Sequence, residues 1–167
     1  MNRERSKAEL PKRAAKGVSI AIVVSRFNEE ITSQLLEDAL KCLSHYGCRR
    51  IDNDVFFCPG AFELPQVANR LCAKKQWDAI ICLGAVIRGE TPHFEYVSSE
   101  TARGLQHVAL KFAIPIVFGV LTTNTIQQAR ERAGGKHGHK GWDAAVTALE
   151  MVALFRTISR TGKTHAG

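Results

Sequence analysis

At 167 residues, with 45% hydrophobic and 23% charged residues, the chain is long enough to bury a core without disulfides or a metal, and it reads as one domain. No apolar run approaches the ~20 residues of a membrane-spanning helix, and the composition is not that of a disordered chain. The formal charge of +7 is concentrated in residues 1–17, which carry +4; the +3 left for the body is too little for a specific nucleic-acid footprint.

Residues 1–17 lack the apolar stretch of a secretory signal and contain Glu4 and Glu9, so they are expected to form a basic, solvated, disordered arm. A targeting or polyanion-binding role is the alternative reading of that arm. Residues 18–24, VSIAIVV, have the near-continuous apolar, β-branched pattern of a central parallel strand. Asn28 is placed to cap a following helix whose stripe of Ile31, Leu35, Leu36, Ala39, Leu40 and Leu43 ends at Gly47. A second strand over 54–58 leads through Pro59-Gly60-Ala61 into a helix over about 62–75, with Pro65 confined to its first turn. Residues 80–97, IICLGAVIRGETPHFEYV, are a buried strand, a turn rich in charge and glycine, and the start of a helix over about 93–112. A fourth strand over 115–121 precedes a short helix to Arg132, a break at Gly134 and Gly135, a basic loop, and a last helix over about 141–158.

Strands alternating with helices predict a parallel sheet wound right-handedly with helices on both faces: a small flavodoxin-like three-layer sandwich of four strands and about five helices, spanning 18–160 with a flexible tail over 161–167. The five cysteines form no CxxC pair and sit among apolar neighbours, which suits buried thiols in a reducing cytoplasm.

In such a sheet all strand ends lie on one edge, where helix N-termini offer free N–H groups and a partial positive charge to anions. That edge would gather Phe27 and Asn28, then Ala61, Phe62 and Glu63, then Gly84 through His93, then Phe118 through Asn124. Aromatics, one carboxylate, one histidine and exposed amides suit a flat heteroaromatic ligand beside a phosphate. Taken singly, Phe27 and Phe62 are ordinary core aromatics, Glu63 an ordinary first-turn acid, and Gly84 and Gly89 turn formers. His93, in the first turn of a helix that would favour neutral imidazole, is the best candidate for proton transfer. Arg132 lies about eight residues from its strand tip, roughly 12 Å along a helix, and does not easily reach that edge in its own chain. It is either a surface cation or a residue of a neighbouring subunit's site. His137 and His139 lack a third metal ligand.

Five blocks together resemble the lumazine synthase family: SRFNEEIT (25–32), PGAFELP (59–65), LGAVIRGETPHFEYV (83–97), FGVLTTNT (118–125), and ARERAG with HKGWDAA (129–134 and 139–145). They run in the family's order and spacing from about residue 18 to 158. The resemblance implies condensation of 5-amino-6-ribitylaminouracil with 3,4-dihydroxy-2-butanone 4-phosphate to 6,7-dimethyl-8-ribityllumazine, the penultimate step of riboflavin biosynthesis, with release of phosphate and no cofactor or metal. By the same resemblance Phe27 stacks on the pyrimidine, while Asn28, Ala61, Glu63 and the backbone around Val86 and Ile87 hold the ring and ribityl chain, and Phe62 is counted with the substrate-binding residues. Gly89, Glu90 and Thr91 line the phosphate region, and His93 moves the protons. Phe118, Arg132 and Lys140 come from the adjacent subunit, Arg132 binding phosphate. Asn124 stands where many relatives carry an acid, and His139 where asparagine is common. The resemblance further implies homopentamers, sometimes built into sixty-subunit icosahedral shells, and association with riboflavin synthase; the short loop before the last helix favours a shell. A flavin-binding or shell-forming homologue with little synthase activity is the alternative reading.

Overall fold

The computed structural model describes residues 10–48 and 54–161; residues 1–9 of the expected arm and 162–167 of the expected tail lie outside the described residues. The apolar runs form parallel strands β1 (Ile20–Ser25), β2 (Val55–Cys58), β3 (Ala79–Ile87) and β4 (Ile116–Thr123), ordered β2-β1-β3-β4. Helices α1 (Glu29–His45), α2 (Leu64–Ala73) and α3 (His93–Phe112) connect them, and α4 (Ile126–Arg132) and α5 (Lys140–Thr161) follow. This is the expected three-layer α/β sandwich. Its order switches direction between β1 and β3, the place where open α/β sheets collect ligands.

Alternation along each strand sorts the core into two layers. Ile20, Ile22, Val24, Ile81 and Leu83 pack with Leu35, Leu43, Ala145 and Leu149 of α1 and α5. Ala21, Val23, Ile80 and Cys82 pack on the opposite face with Leu64, Ala68, Leu105 and Val108 of α2 and α3. With both faces covered, β1 and β3 have to be almost wholly apolar, which is why they were the plainest strands in the sequence. Pro65 sits in the first turn of α2 behind a 3-10 turn at Ala61–Glu63, so it breaks no helical hydrogen bond.

Three local features differ from expectation. Residues 10–17 are not a free arm: Ala15 is buried, Leu10 and Ala14 pack against the α1/α5 layer, and the Ala15 amide donates to the Tyr46 carbonyl at 3.0 Å. The basic residues around them hid three apolar positions that face one way. Gly84 is not a turn residue but lies within β3, where a Cβ would stand 3.1 Å from Ser25 Oγ and 3.2 Å from Leu64 Cδ1. The break at Gly134 and Gly135 is a small antiparallel hairpin, β5 (Ala133–Gly135) with β6 (Gly138–His139), in which Gly134 and Gly138 take φ of 134° and 100°.

All five cysteines are free, and only Cys48 is not buried. Burial pushes the thiol of Cys42 up to about 12 and that of Cys58 up to about 11. The folded chain at pH 8 should therefore show one rapidly titrating thiol with Ellman's reagent, Cys48, and five after unfolding. A second fast thiol in the native state would contradict this.

Candidate active site

Three strand ends and the start of α3 enclose a cavity of about 670 Å³, within the usual range for small-ligand sites. Phe27 follows β1 and is 71% exposed; Phe62 follows β2 and is 50% exposed. Two large aromatics left this open on a cavity wall are available to a flat ligand in a way that core aromatics are not. Val86 and Ile87 form the end of β3 in the wall, and Ala61 closes the side near β2. Glu63 also lines the cavity. Gly60 leaves room for its carboxylate, since a Cβ there would be 3.0 Å from Glu63 Oε2. Gly89 and Thr91 carry the lining from the β3 end to His93.

His93 is the first residue of α3 and is exposed. Its imidazole makes no hydrogen bond or ion pair with another described residue, so both ring nitrogens are free for a ligand. The helix behind it is 20 residues long, and its first amides lack intrahelical acceptors. An aromatic slot, one carboxylate, one free imidazole and a glycine-containing turn can together hold a planar polar ring, accept an anion and move protons.

Asn28 behaves differently from the helix cap expected of it. It sits in the left-handed region (φ 60°, ψ 47°) with no side-chain cap, and its Nδ2 donates instead to the Ala85 carbonyl at 2.9 Å. Asparagine tolerates that backbone, and the bond ties the start of α1 to the β3 end beneath the cavity. Glu90 is exposed and does not line the cavity.

Residues beyond those named from sequence complete the wall: Phe94, Tyr96 and Val97 from α3, with Pro59 and Gly60. Arg88 lies within the 84–93 stretch, but its role there was not read from sequence. Its Nη1 meets Glu95 Oε1 at 2.7 Å, its Nε donates to Asn124 Oδ1 at 2.9 Å, and its guanidinium lies 4.4 Å from the Phe94 ring centroid. The side chain thus braces the 88–91 turn against α3 and the end of β4. Its place beside Gly89, seven residues before an acid on the next helix, was the available signal.

The remaining candidates lie elsewhere. Phe118, 43% exposed, and Lys140 line a separate cavity of about 580 Å³ along the open edge of β4. Lys140 Nζ pairs with Asp143 Oδ2 at 2.9 Å. Arg132 lines neither cavity, and its Nη1 donates to the Gln128 carbonyl at 2.9 Å.

A parallel sandwich with an aromatic-lined cavity at its β1/β3 switch point has the architecture of the doubly wound α/β class, in which ligands collect at that point. The chain belongs to the 6,7-dimethyl-8-ribityllumazine synthase family, whose model matches residues 17–156. Among its relatives, the 6,7-dimethyl-8-ribityllumazine synthase of Syntrophus aciditrophicus (strain SB) is 57% identical over 144 residues, covering 86% of this chain and 94% of the relative. The protein of the same name from Clostridium kluyveri (strain ATCC 8527) is 51% identical over the same length and shares.

Proposed function

We propose that this chain is a 6,7-dimethyl-8-ribityllumazine synthase, joining 5-amino-6-ribitylaminouracil to 3,4-dihydroxy-2-butanone 4-phosphate with loss of phosphate and water. One observation carries the reading: in a chain of this family, Phe27, Glu63, Gly89, Thr91 and His93, from three separate stretches of sequence, line a single cavity. Phe27 stacks on the pyrimidine, Glu63 takes polar hydrogens of the first substrate, and the 89–91 turn receives the phosphate. His93 carries protons through imine formation, phosphate elimination and ring closure, steps that need both donation and acceptance. Holding two substrates together supplies a further large share of the acceleration, up to roughly 7–11 kcal/mol in favourable cases.

Phe118, Arg132 and Lys140 serve the cavity of a neighbouring subunit, within a homopentamer that builds on to a shell and associates with riboflavin synthase. The open edge of β4, with exposed Phe118 and Leu110, supports a subunit contact there. Five unpaired thiols support a cytoplasmic location, and no helix among the described residues is long and apolar enough to cross a membrane.

The test is a steady-state assay of lumazine absorbance on a sample also examined by sedimentation. Turnover requiring both substrates, in a pentamer or a multiple of it, is expected. Tight riboflavin binding without turnover would replace the reading with that of a flavin-binding homologue.

A further inference from the structure

Asp38 is an unusual residue for the middle of an amphipathic helix: its side chain is 6% exposed, and it lies on the α1 face that meets the β5/β6 hairpin. A buried carboxylate must be hydrogen-bonded to be tolerated. Asp38 has two partners, Gln34 Nε2 at 3.2 Å to Oδ1 and His139 Nδ1 at 2.8 Å to Oδ2. His139 is itself 60% exposed, so it contributes little to the core; what it supplies is this one bond, on the residue that ends β6 and directly precedes Lys140.

The pair is one of several holds that α1 has on the same limb of chain. Arg130 reaches Glu30 with two nitrogens, at 2.6 and 3.0 Å. A Cβ on Gly134 would stand 3.4 Å from Gln34 Cγ, so the hairpin backbone lies directly on that side chain. Gly141 is packed against the Leu35 backbone. Glu30, Gln34 and Asp38 are spaced i, i+4, i+8 and therefore share one face of α1. That face is a base on which residues 130–141 are laid, with Arg132 on one side of the hairpin and Lys140 on the other. Of the holds that α1 has on this limb, the Asp38–His139 bond is the one adjacent to Lys140 that a change at an exposed side chain can remove while Gln34 still donates to Asp38.

We propose that Asp38 and His139 form a positioning pair that fixes the Arg132–Lys140 limb, and through it sets the affinity for the phosphate-bearing substrate. The inference rests on the reading that Arg132 and Lys140 serve a neighbouring subunit's site, where Arg132 binds the phosphate. Neither Asp38 nor His139 touches substrate. Their effect is to hold the backbone at the entry of α5, so that the two cations are ordered before the anion arrives rather than at its expense.

The experiment uses the full chain in its native assembly and compares His139→Ala, His139→Asn and Arg132→Ala. An asparagine amide branches from the same carbon position as the imidazole Nδ1, so it can restore the bond to Asp38. His139→Ala is expected to raise both the KM for the butanone phosphate and the inhibition constant of inorganic phosphate by about tenfold, the scale of one hydrogen bond to a charged group. The KM for the ribitylaminouracil and the sedimentation coefficient should stay at wild-type values, and His139→Asn should restore phosphate affinity to within about twofold. If Arg132→Ala weakens phosphate while His139→Ala does not, the positioning role is wrong and the placement of the limb stands. If neither variant changes phosphate affinity, the placement itself fails. Equal losses for both substrates, or no rescue by asparagine, would reduce the pair to a general structural contact and overturn the proposal.

Discussion

His93→Ala is expected to lower kcat by roughly 10²- to 10⁴-fold, the usual contribution of a positioned general acid–base group, with a much smaller change in either KM. The ionisable side chains lining the cavity are Glu63, His93 and Tyr96. Of these, the imidazole is the side-chain type with one ring nitrogen that can accept a proton and another that can donate one. It stands at the first position of α3 with no competing bond to another described residue, so removing it frees no buried partner and leaves no internal cavity. Because it is exposed, the fold should be unaffected, which circular dichroism and an unchanged sedimentation coefficient would verify. The variant should still exceed the uncatalysed rate, since the aromatic slot and the 89–91 turn continue to hold both substrates together. Glu63→Gln is the informative comparison: if that variant loses as much kcat as His93→Ala, proton transfer is shared. A His93→Ala enzyme with kcat within about threefold of wild type would remove His93 from the chemistry altogether, given that smaller effects fall below the range for general catalysis.

How much of this was legible in the chain follows from which forces act locally. The strands β1 and β3 are covered on both faces, so burial wrote them as apolar runs that no other element produces. Helix α3 begins at His93 and ends at Phe112, as periodicity and the preceding Pro92 indicate. The gathering of Phe27, Glu63 and His93 followed from topology, because parallel strands have to end on one edge. What sequence did not reveal depends on contacts between distant segments. The β5/β6 hairpin has too few residues for a strand pattern; it uses positive φ at Gly134 and Gly138, and Gly134 lies against Gln34 of α1. Asn28 looks like a helix cap by type, yet its amide is used 57 residues away on Ala85. Asp38 reads as a polar interruption of α1 until His139 arrives over it from 101 residues further on. Phe118 and Lys140 lie away from the cavity of their own chain, and no local pattern states which surface they serve.

Gly141→Ala is expected to be the most destabilising small substitution in the limb, although alanine usually stabilises a helix over glycine by about 0.5–1 kcal/mol. Gly141 is the second residue of α5, buried where that helix meets α1. A Cβ there would overlap the Leu35 carbonyl oxygen and stand 2.7 Å from the carbonyl carbon and 2.9 Å from Leu35 Cα. These are backbone atoms of a fully buried helical residue, so no rotamer change relieves the clash. Either α5 moves away from α1, opening the layer built on Leu35, Ala145 and Leu149, or the first turn of α5 unwinds. Overpacking of this kind typically costs about 1–3 kcal/mol, and with rigid backbone on both sides the upper end is expected. For a chain of this size ~3 kcal/mol corresponds to a fall in Tm of roughly 6–12 °C. Gly89→Ala is the matched control, since no atom lies within 4 Å of a Cβ there and its melting should shift little. Both variants have to be melted at one protein concentration, because subunit association raises the apparent Tm with concentration. A Gly141→Ala protein melting within about 2 °C of wild type would mean that α5 enters with more freedom than its packing on Leu35 allows, because a cost of even ~1 kcal/mol exceeds that shift.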